Sequence, residues 1–359
     1  MPGFDNAHSS SPIPPRGRGA SSNPANRFEA LHLEPDPEDE HDPERPRRRT
    51  IYFRDFTRSI IAHNDSPDVG FEASVNPYRG CEHGCIYCYA RPTHEFLGFS
   101  AGLDFESRIM VKEDAPELLA AELSSPRWKP QTLVMSGVTD PYQPVERRLQ
   151  ITRRCLEVLA RFRNPTAIIT KNQLVTRDID LLGELAAHQG AAVNISVTSL
   201  DPKLQRVLEP RTSTPHARLE AVAELRRAGI PVGVMVAPII PGLTDHEVPA
   251  ILQACGEAGA QFAGYTVVRL PYAVAPLFER WLEEHFPERK EKVLGRIRHL
   301  RGGGRLNDPR FTTRLRGEGI FAEQISALFS AGCKRAGIGK RPGLSASAFR
   351  RPNEQLPLF

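Results

Sequence analysis

From about residue 70 onward, short apolar runs alternate with longer stretches whose apolar positions recur at helical spacing. Six runs read as strands: "FEASVN" (71–76), "QTLVMSG" (131–137), "TAIITK" (166–171), "AAVNISVTS" (191–199), "PVGVMVAPII" (231–240) and "QFAGYTVV" (261–268). The stretches between them read as helices: "DAPELLAAEL" (114–123), "ERRLQITRRCLEVLARF" (146–162), "DIDLLGELAAH" (178–188), "HARLEAVAELRRAG" (216–229) and "HEVPAILQACGEAG" (246–259). The first of these opens like a capping box, with Asp114 at the N-cap and Glu117 three positions on. The fourth places Leu219, Val222 and Leu225 on one stripe and stops at Gly229. The strands are mostly apolar rather than alternating, as in buried parallel strands covered by helices. About six such units predict a parallel α/β fold, either an open partial barrel or a doubly wound sheet; the pattern alone does not separate the two.

Outside that rhythm the composition changes. Residues 1–55 are rich in Pro, Ser, Gly, Asn and charge, which predicts a disordered N-terminal arm. Within it "EPDPEDEHDPE" (34–44) carries seven carboxylates, and "RPRRR" (45–49) follows with four arginines. Net charge is only +4, yet residues 289–317 hold ten Lys or Arg against two acids. That asymmetry makes the segment a candidate polyanion-facing surface, and a solvated basic helix and loop is the plainer reading. No apolar run reaches the ~18 residues needed to span a bilayer. The N-terminus lacks an apolar signal-peptide core, so the expected compartment is the cytosol, where thiols stay reduced.

Six cysteines are too sparse for a disulfide framework at this length. Three of them, Cys81, Cys85 and Cys88, fall in "RGCEHGCIYCYA" (79–90) with C-x3-C-x2-C spacing. Thiolates are soft ligands for zinc or an iron–sulfur cluster. Structural zinc takes four ligands, and His83 and His94 are near in sequence, so a zinc site is one alternative. The spacing argues against it: zinc sites bring cysteines in C-x2-C pairs, whereas one loop here supplies three ligands. His83 reads as an exposed loop residue. Cys155 and Cys255 fall within helices and read as core, and Cys333 lies in the tail.

C-x3-C-x2-C with an aromatic, Tyr87, before the last cysteine and at the end of a first strand resembles the signature of the radical SAM superfamily. The resemblance covers roughly residues 70–270. It implies a partial (β/α)6 TIM-like barrel core over 67–275, followed by a basic C-terminal extension over 276–359 that closes or covers the barrel. It implies a [4Fe-4S] cluster on Cys81, Cys85 and Cys88, with one iron open to S-adenosylmethionine. One electron then cleaves the cofactor to a 5′-deoxyadenosyl radical, and a flavodoxin- or ferredoxin-like donor is the implied partner. By the same resemblance, Ser136, Gly137, Thr139 and Asp140 stand where the methionyl amino group is bound, although "SGVTDPYQPVE" departs from the family's glycine-glycine-acid form. Lys171 falls near the pocket. Asn194, Ser196 and Thr198 stand where ribose is contacted. Arg211 is a candidate partner of the methionyl carboxylate, and "GYTVVRLP" with Tyr265 lies where adenine is received.

"NPYRGCEHGCIYCYARPTHEFLG" and "SGVTDPYQPVERRLQITR" look most like the branch related to spore photoproduct lyase. That resemblance implies a radical acting on a substrate, with nucleic acid a candidate through 289–317. The hydrogen-donating cysteine of that lyase has no counterpart, since none lies between Cys88 and Cys155. Two alternatives stand beside this reading: radical modification of a protein or small molecule, and a non-enzymatic zinc- or cluster-stabilised nucleic-acid-binding protein.

Overall fold

The computed structural model describes residues 17–28 and 49–352. Its main sheet has seven strands in the order β10-β9-β8-β7-β6-β3-β2. In chain order, β1 (Ile51–Arg54), β2 (Ile61–His63), β3 (Ala73–Val75) and β4 (Tyr78–Arg79) lead into the cysteine loop, which is followed by α1 (Leu103–Ser107), β5 (Arg108–Val111) and α2 (Ala115–Ser124). β6 (Leu133–Met135) is followed by α3 (Glu146–Leu149) and α4 (Ile151–Phe162), and β7 (Thr166–Thr170) by α5 (Ile179–Ala186). β8 (Ala191–Ser196) leads to α6 (Pro202–Leu208) and α7 (Pro215–Arg227), and β9 (Val232–Ile239) to α8 (Val248–Glu257). After β10 (Phe262–Val267) come α9 (Val274–His285), α10 (Lys290–Leu300), α11 (Thr313–Arg316) and α12 (Ile320–Arg335).

All six strands expected from the apolar runs are present, and they pair parallel with one another. β2 adds antiparallel to β3 at one edge, and β1, β5 and β4 form a separate small sheet. Successive residues of these strands face opposite sides of the sheet. One face, with Val193, Ile195, Val234 and Val236, packs under the helices and is fully buried. The other carries small or polar groups: Ser74 pairs with Val134, Asn194 with Gly233 and Ser196 with Met235. Helices therefore cover one face, and the other is left as a lumen bordered by short side chains.

The sheet does not close on itself. Its seam is bridged by the C-terminal extension: Arg314 donates to Asp68 and Ser66 in the β2–β3 connection, and Arg301 donates to the carbonyl of Val268 just beyond β10. α12 lies on α8, and Phe329 packs on the Tyr265 ring with centroids 4.6 Å apart.

Several local expectations are corrected. The helix expected over 146–162 breaks at Gln150, in the left-handed region at φ 52°. There the buried Glu146 carboxylate folds back to accept the Thr152 amide and the Tyr78 hydroxyl. Asp114 makes no capping bond and pairs with Arg54 instead. His83 is buried rather than exposed. The disordered arm expected over 1–55 is replaced by packed chain at 17–28 and by β1 from Ile51, while residues 1–16 and 29–48 lie outside the described residues. The Gly19 and Ala20 amides donate to the buried Glu106 carboxylate at 2.9 Å. At Gly19 a Cβ would stand 1.8 Å from the Gly84 carbonyl oxygen, so only glycine lets this segment lie on the cysteine loop.

Candidate functional site

The C-terminal ends of the six parallel strands meet at one end of the lumen, which is where sites of such barrels are built. The loop after β3 and β4 carries Cys81 and Cys85, both buried, and Cys88, partly buried. Its backbone is pinned by Arg91, whose buried guanidinium donates to the carbonyls of Cys85 (2.9 Å), Gly84 (3.3 Å), Ala101 (3.1 Å) and Gly102 (3.0 Å) and to Glu106. Glu82, inside the loop, accepts the Val145 amide at 2.7 Å and pairs with Arg211 at 3.1 Å. Gln143 bridges the loop, accepting from the Glu82 amide and donating to the Gly80 carbonyl. His83 lies 3.4 Å from Asp140. Burial works against a charge on His83, yet Asp140 and the Cys81 sulfur raise its pKa to about 10.

The three thiols stand within reach of one another's charge. Burial, then Glu209 and the other two sulfurs, push Cys85 well above an ordinary thiol, with Lys171 opposing. Burial and Cys81 push Cys88 up to about 11. Three thiolates in so dry a place need a bound cation to exist together, and thiolate-ligated metal supplies it. Among the described residues no three His, Cys, Asp or Glu side chains converge on a single-ion position. Three soft thiolate donors from one loop fit a cysteine-held iron–sulfur cluster. His94 is fully buried, edge-on to Phe105.

Beside the thiols lies a buried charge network with little signature in the sequence. Glu209 accepts from Arg218, from Thr198 at 2.6 Å and from the Tyr87 hydroxyl, and Lys171 Nζ is 3.2 Å away. Burial alone would raise the Glu209 pKa, but Arg218 and Lys171 hold it well below the carboxylate range. Lys171 also donates to the Ala237 carbonyl at 2.9 Å and faces the Tyr87 ring. Thus Tyr87 and Lys171, placed near the cofactor by their positions in sequence, are joined through a carboxylate that went unnoticed. Its cue was the "EPR" triplet, where Arg211 drew attention and Glu209 is the residue at the centre.

Asp140 is also spent on protein groups. It accepts from Thr170 (2.7 Å), the Lys171 amide (2.8 Å) and the Tyr142 amide (2.9 Å). It therefore ties the β6 loop to β7 and to His83. Arg211 already has its carboxylate in Glu82, within the cysteine loop. Ser136 (φ 153°) and Gly137 (φ 128°) stand in backbone that favours glycine and turn sharply after β6. The Gly137 carbonyl accepts from the Tyr89 hydroxyl, and Thr139 Oγ1 is 3.4 Å from the Tyr78 carbonyl. Asn194 and Ser196 border the lumen, with Ser196 holding Arg218 through its carbonyl. The Tyr265 side chain points to the helix face, against Phe329 and under Arg316. Only backbone at that position reaches the lumen side.

A partial α/β barrel with a three-cysteine loop at its strand ends defines a class of metal-cofactor enzymes. The chain belongs to the radical SAM superfamily, which it matches over residues 75–255. It is 38% identical over 250 residues to an uncharacterized protein of Mycobacterium tuberculosis, covering 68% of this chain and 72% of that one. A radical SAM Nalpha-GlyT isomerase of Pseudomonas phage M6 is 26% identical over 219 residues, covering 60% of this chain and 43% of the phage protein. In fold it matches spore photoproduct lyase complexed with dinucleoside spore photoproduct, with a TM-score of 0.56 at 16% identity over 79% of this chain and 78% of that chain. The family is one of enzymes, so the non-enzymatic binding-protein alternative falls away. Among the described residues no helix is long and apolar enough to cross a membrane.

Proposed function

We propose that this enzyme holds a [4Fe-4S] cluster on Cys81, Cys85 and Cys88 and uses it to cleave S-adenosylmethionine reductively, in the cytosol, with a flavodoxin- or ferredoxin-like electron donor. The observation that carries this reading is the set of three mutually close, buried thiols on one loop at the lumen's mouth, without a fourth cysteine beside them. When bound, the cluster and cofactor supply a 5′-deoxyadenosyl radical able to abstract hydrogen. The chain's own groups then have distinct parts. Arg91, Glu106 and Gln143 fix the loop. Tyr87, Lys171, Glu209 and Arg218 set a buried, hydrogen-bonded charge network beside it. Ser136 and Gly137 offer backbone at the rim, and Ser74, Asn194 and Ser196 leave room in the lumen.

For the substrate we favour a nucleic acid over a protein or a small metabolite. Spore photoproduct lyase, of the same fold, has been solved complexed with dinucleoside spore photoproduct. The basic segment 289–317 supports this less than its composition suggested, because much of its charge is used internally: Arg296 pairs with Asp245, Arg310 with Asp308 and Arg314 with Asp68. Cys155 and Cys255 are core residues, so a cysteine-donated hydrogen, as in the lyase, is not part of the proposal.

The test is an anaerobic assay of reconstituted protein with dithionite and S-adenosylmethionine, following 5′-deoxyadenosine by mass spectrometry with and without damaged DNA. Cys85→Ala should lose cluster iron and all 5′-deoxyadenosine. Full activity in that variant would sink the mechanism, and indifference to DNA would sink the substrate class.

A further inference from the structure

Arg269 lies two residues beyond β10, at the same strand ends as the cysteine loop. Its Nε is buried and unbonded, and among the described residues it makes no hydrogen bond or ion pair. What it does face is a ring: its guanidinium carbon sits 5.5 Å from the centroid of Tyr89, the residue next to Cys88. Tyr89 is 49% exposed and steadied by the Gly137 carbonyl. A half-buried guanidinium without an anion is costly unless something else completes it.

The surrounding charges sharpen the point. After burial itself, Arg314 lowers the proton affinity of Arg269, and Arg269 lowers that of Arg301. The two carboxylates in range already have arginines of their own: Asp68 bonds Arg314, and Asp308 bonds Arg310. Arg301 spends its donors on the neutral carbonyls of Val268, Thr313 and Arg314. Arg301 still feels Asp308, because Arg310 divides itself between Asp308 and Glu318, whereas Arg269 has only Asp68 in range and that carboxylate bonds Arg314. An anion would complete Arg269, and guanidinium geometry suits a phosphate.

We propose that Arg269, held over the inner face of the Tyr89 ring, binds a phosphate group of the substrate at the guanidinium edge turned away from that ring, with the exposed side of Tyr89 as the flat surface on which an adjoining ring stacks. The inference rests on reading this end of the barrel as the reaction face. It goes beyond that reading by naming a charged group that the substrate must carry and the residue that holds it. The phosphate belongs either to a polynucleotide or to a small phosphorylated molecule.

Full-length protein, reconstituted anaerobically, would be titrated with inorganic pyrophosphate by calorimetry and with a short fluorescein-labelled oligothymidine by anisotropy. Wild type, Arg269→Gln and Arg269→Lys would be compared, and the melting temperature of each measured. Loss of a charge-assisted contact should weaken binding by about tenfold in Arg269→Gln, with part of it restored in Arg269→Lys, a recovery that a merely packing role would not give. Arg269-dependent binding of both probes supports the proposal and assigns a polynucleotide. Dependence for pyrophosphate alone supports it and assigns a small phosphorylated substrate. Equal binding by wild type and Arg269→Gln, or no binding of either probe by wild type, overturns it. 5′-Deoxyadenosine formation by the same wild-type sample separates the two levels: its absence beside Arg269-dependent binding removes the radical chemistry and leaves the phosphate site standing.

Discussion

His94 shows how a single side chain reports its surroundings. It is 0% exposed, neither ring nitrogen has a hydrogen-bond partner, and Phe99 and Phe105 pack against it. Burial lowers its pKa from 6.5 to about 4. The unfolded chain therefore binds a proton there more readily than the folded one. The associated stability is complete above about pH 6.5 and is lost as the pH falls through about 4. At roughly 1.4 kcal/mol per pKa unit, this amounts to about 3 kcal/mol. His94→Phe should remove that part of the acid sensitivity, so the gap between variant and wild type in urea midpoint should widen in the variant's favour from pH 7 to pH 4.5. An unchanged gap would mean that His94 takes up its proton as easily in the folded state. At this same scale the sequence showed the cysteines and Tyr87 by spacing. It did not show Glu209 or Arg269, since a lone Glu or Arg has no spacing to read and gains its meaning only from what faces it.

Among elements, the cysteine loop is the instructive one. It has little regular structure of its own and is held by chain from both sides. The 3-10 turn over Arg91–Leu97 supplies Arg91, α1 supplies Glu106, and the segment at 17–28 lays the Gly19 and Ala20 amides on Glu106. Replacing Arg91 by Met would leave Glu106 without its counter-charge and take a donor from four backbone carbonyls. Breaking such a buried pair costs about 3–5 kcal/mol. The expected result is a matching fall in denaturant stability, with fewer irons bound per chain after reconstitution. Arg91→Lys should not rescue either one, because a single ammonium cannot span the donors' separate directions. Unchanged iron content in Arg91→Met would show that the loop is held by other contacts. The helices and strands were legible because each follows a hydrophobic period. The 17–28 segment was not, because its order comes from two amides and a glycine meeting a carboxylate some 85 positions away, a contact its polar composition does not advertise.

The whole molecule is an open barrel whose seam is latched by its own C-terminal extension. Arg314 reaches Asp68 and Ser66 across that seam, and the Thr312 amide joins them at Asp68. Arg314→Ala should release the two sides together. Hydrogen exchange should then quicken in 64–70 and in 310–316 at once, while iron content stays at the wild-type level. Faster exchange on one side only would mean that the two segments are secured independently. The sequence by itself determined the parallel α/β class, the six strands of the sheet to within a few residues and the three thiols, because periodicity and close spacing are written locally along the chain. The tertiary structure alone decided the curl of that sheet, the burial of His83, the charge network built on Glu209 and the unpaired guanidinium of Arg269. Each of these depends on groups far apart in sequence meeting where water is excluded, and there the cost of an unpaired charge fixes what a residue does.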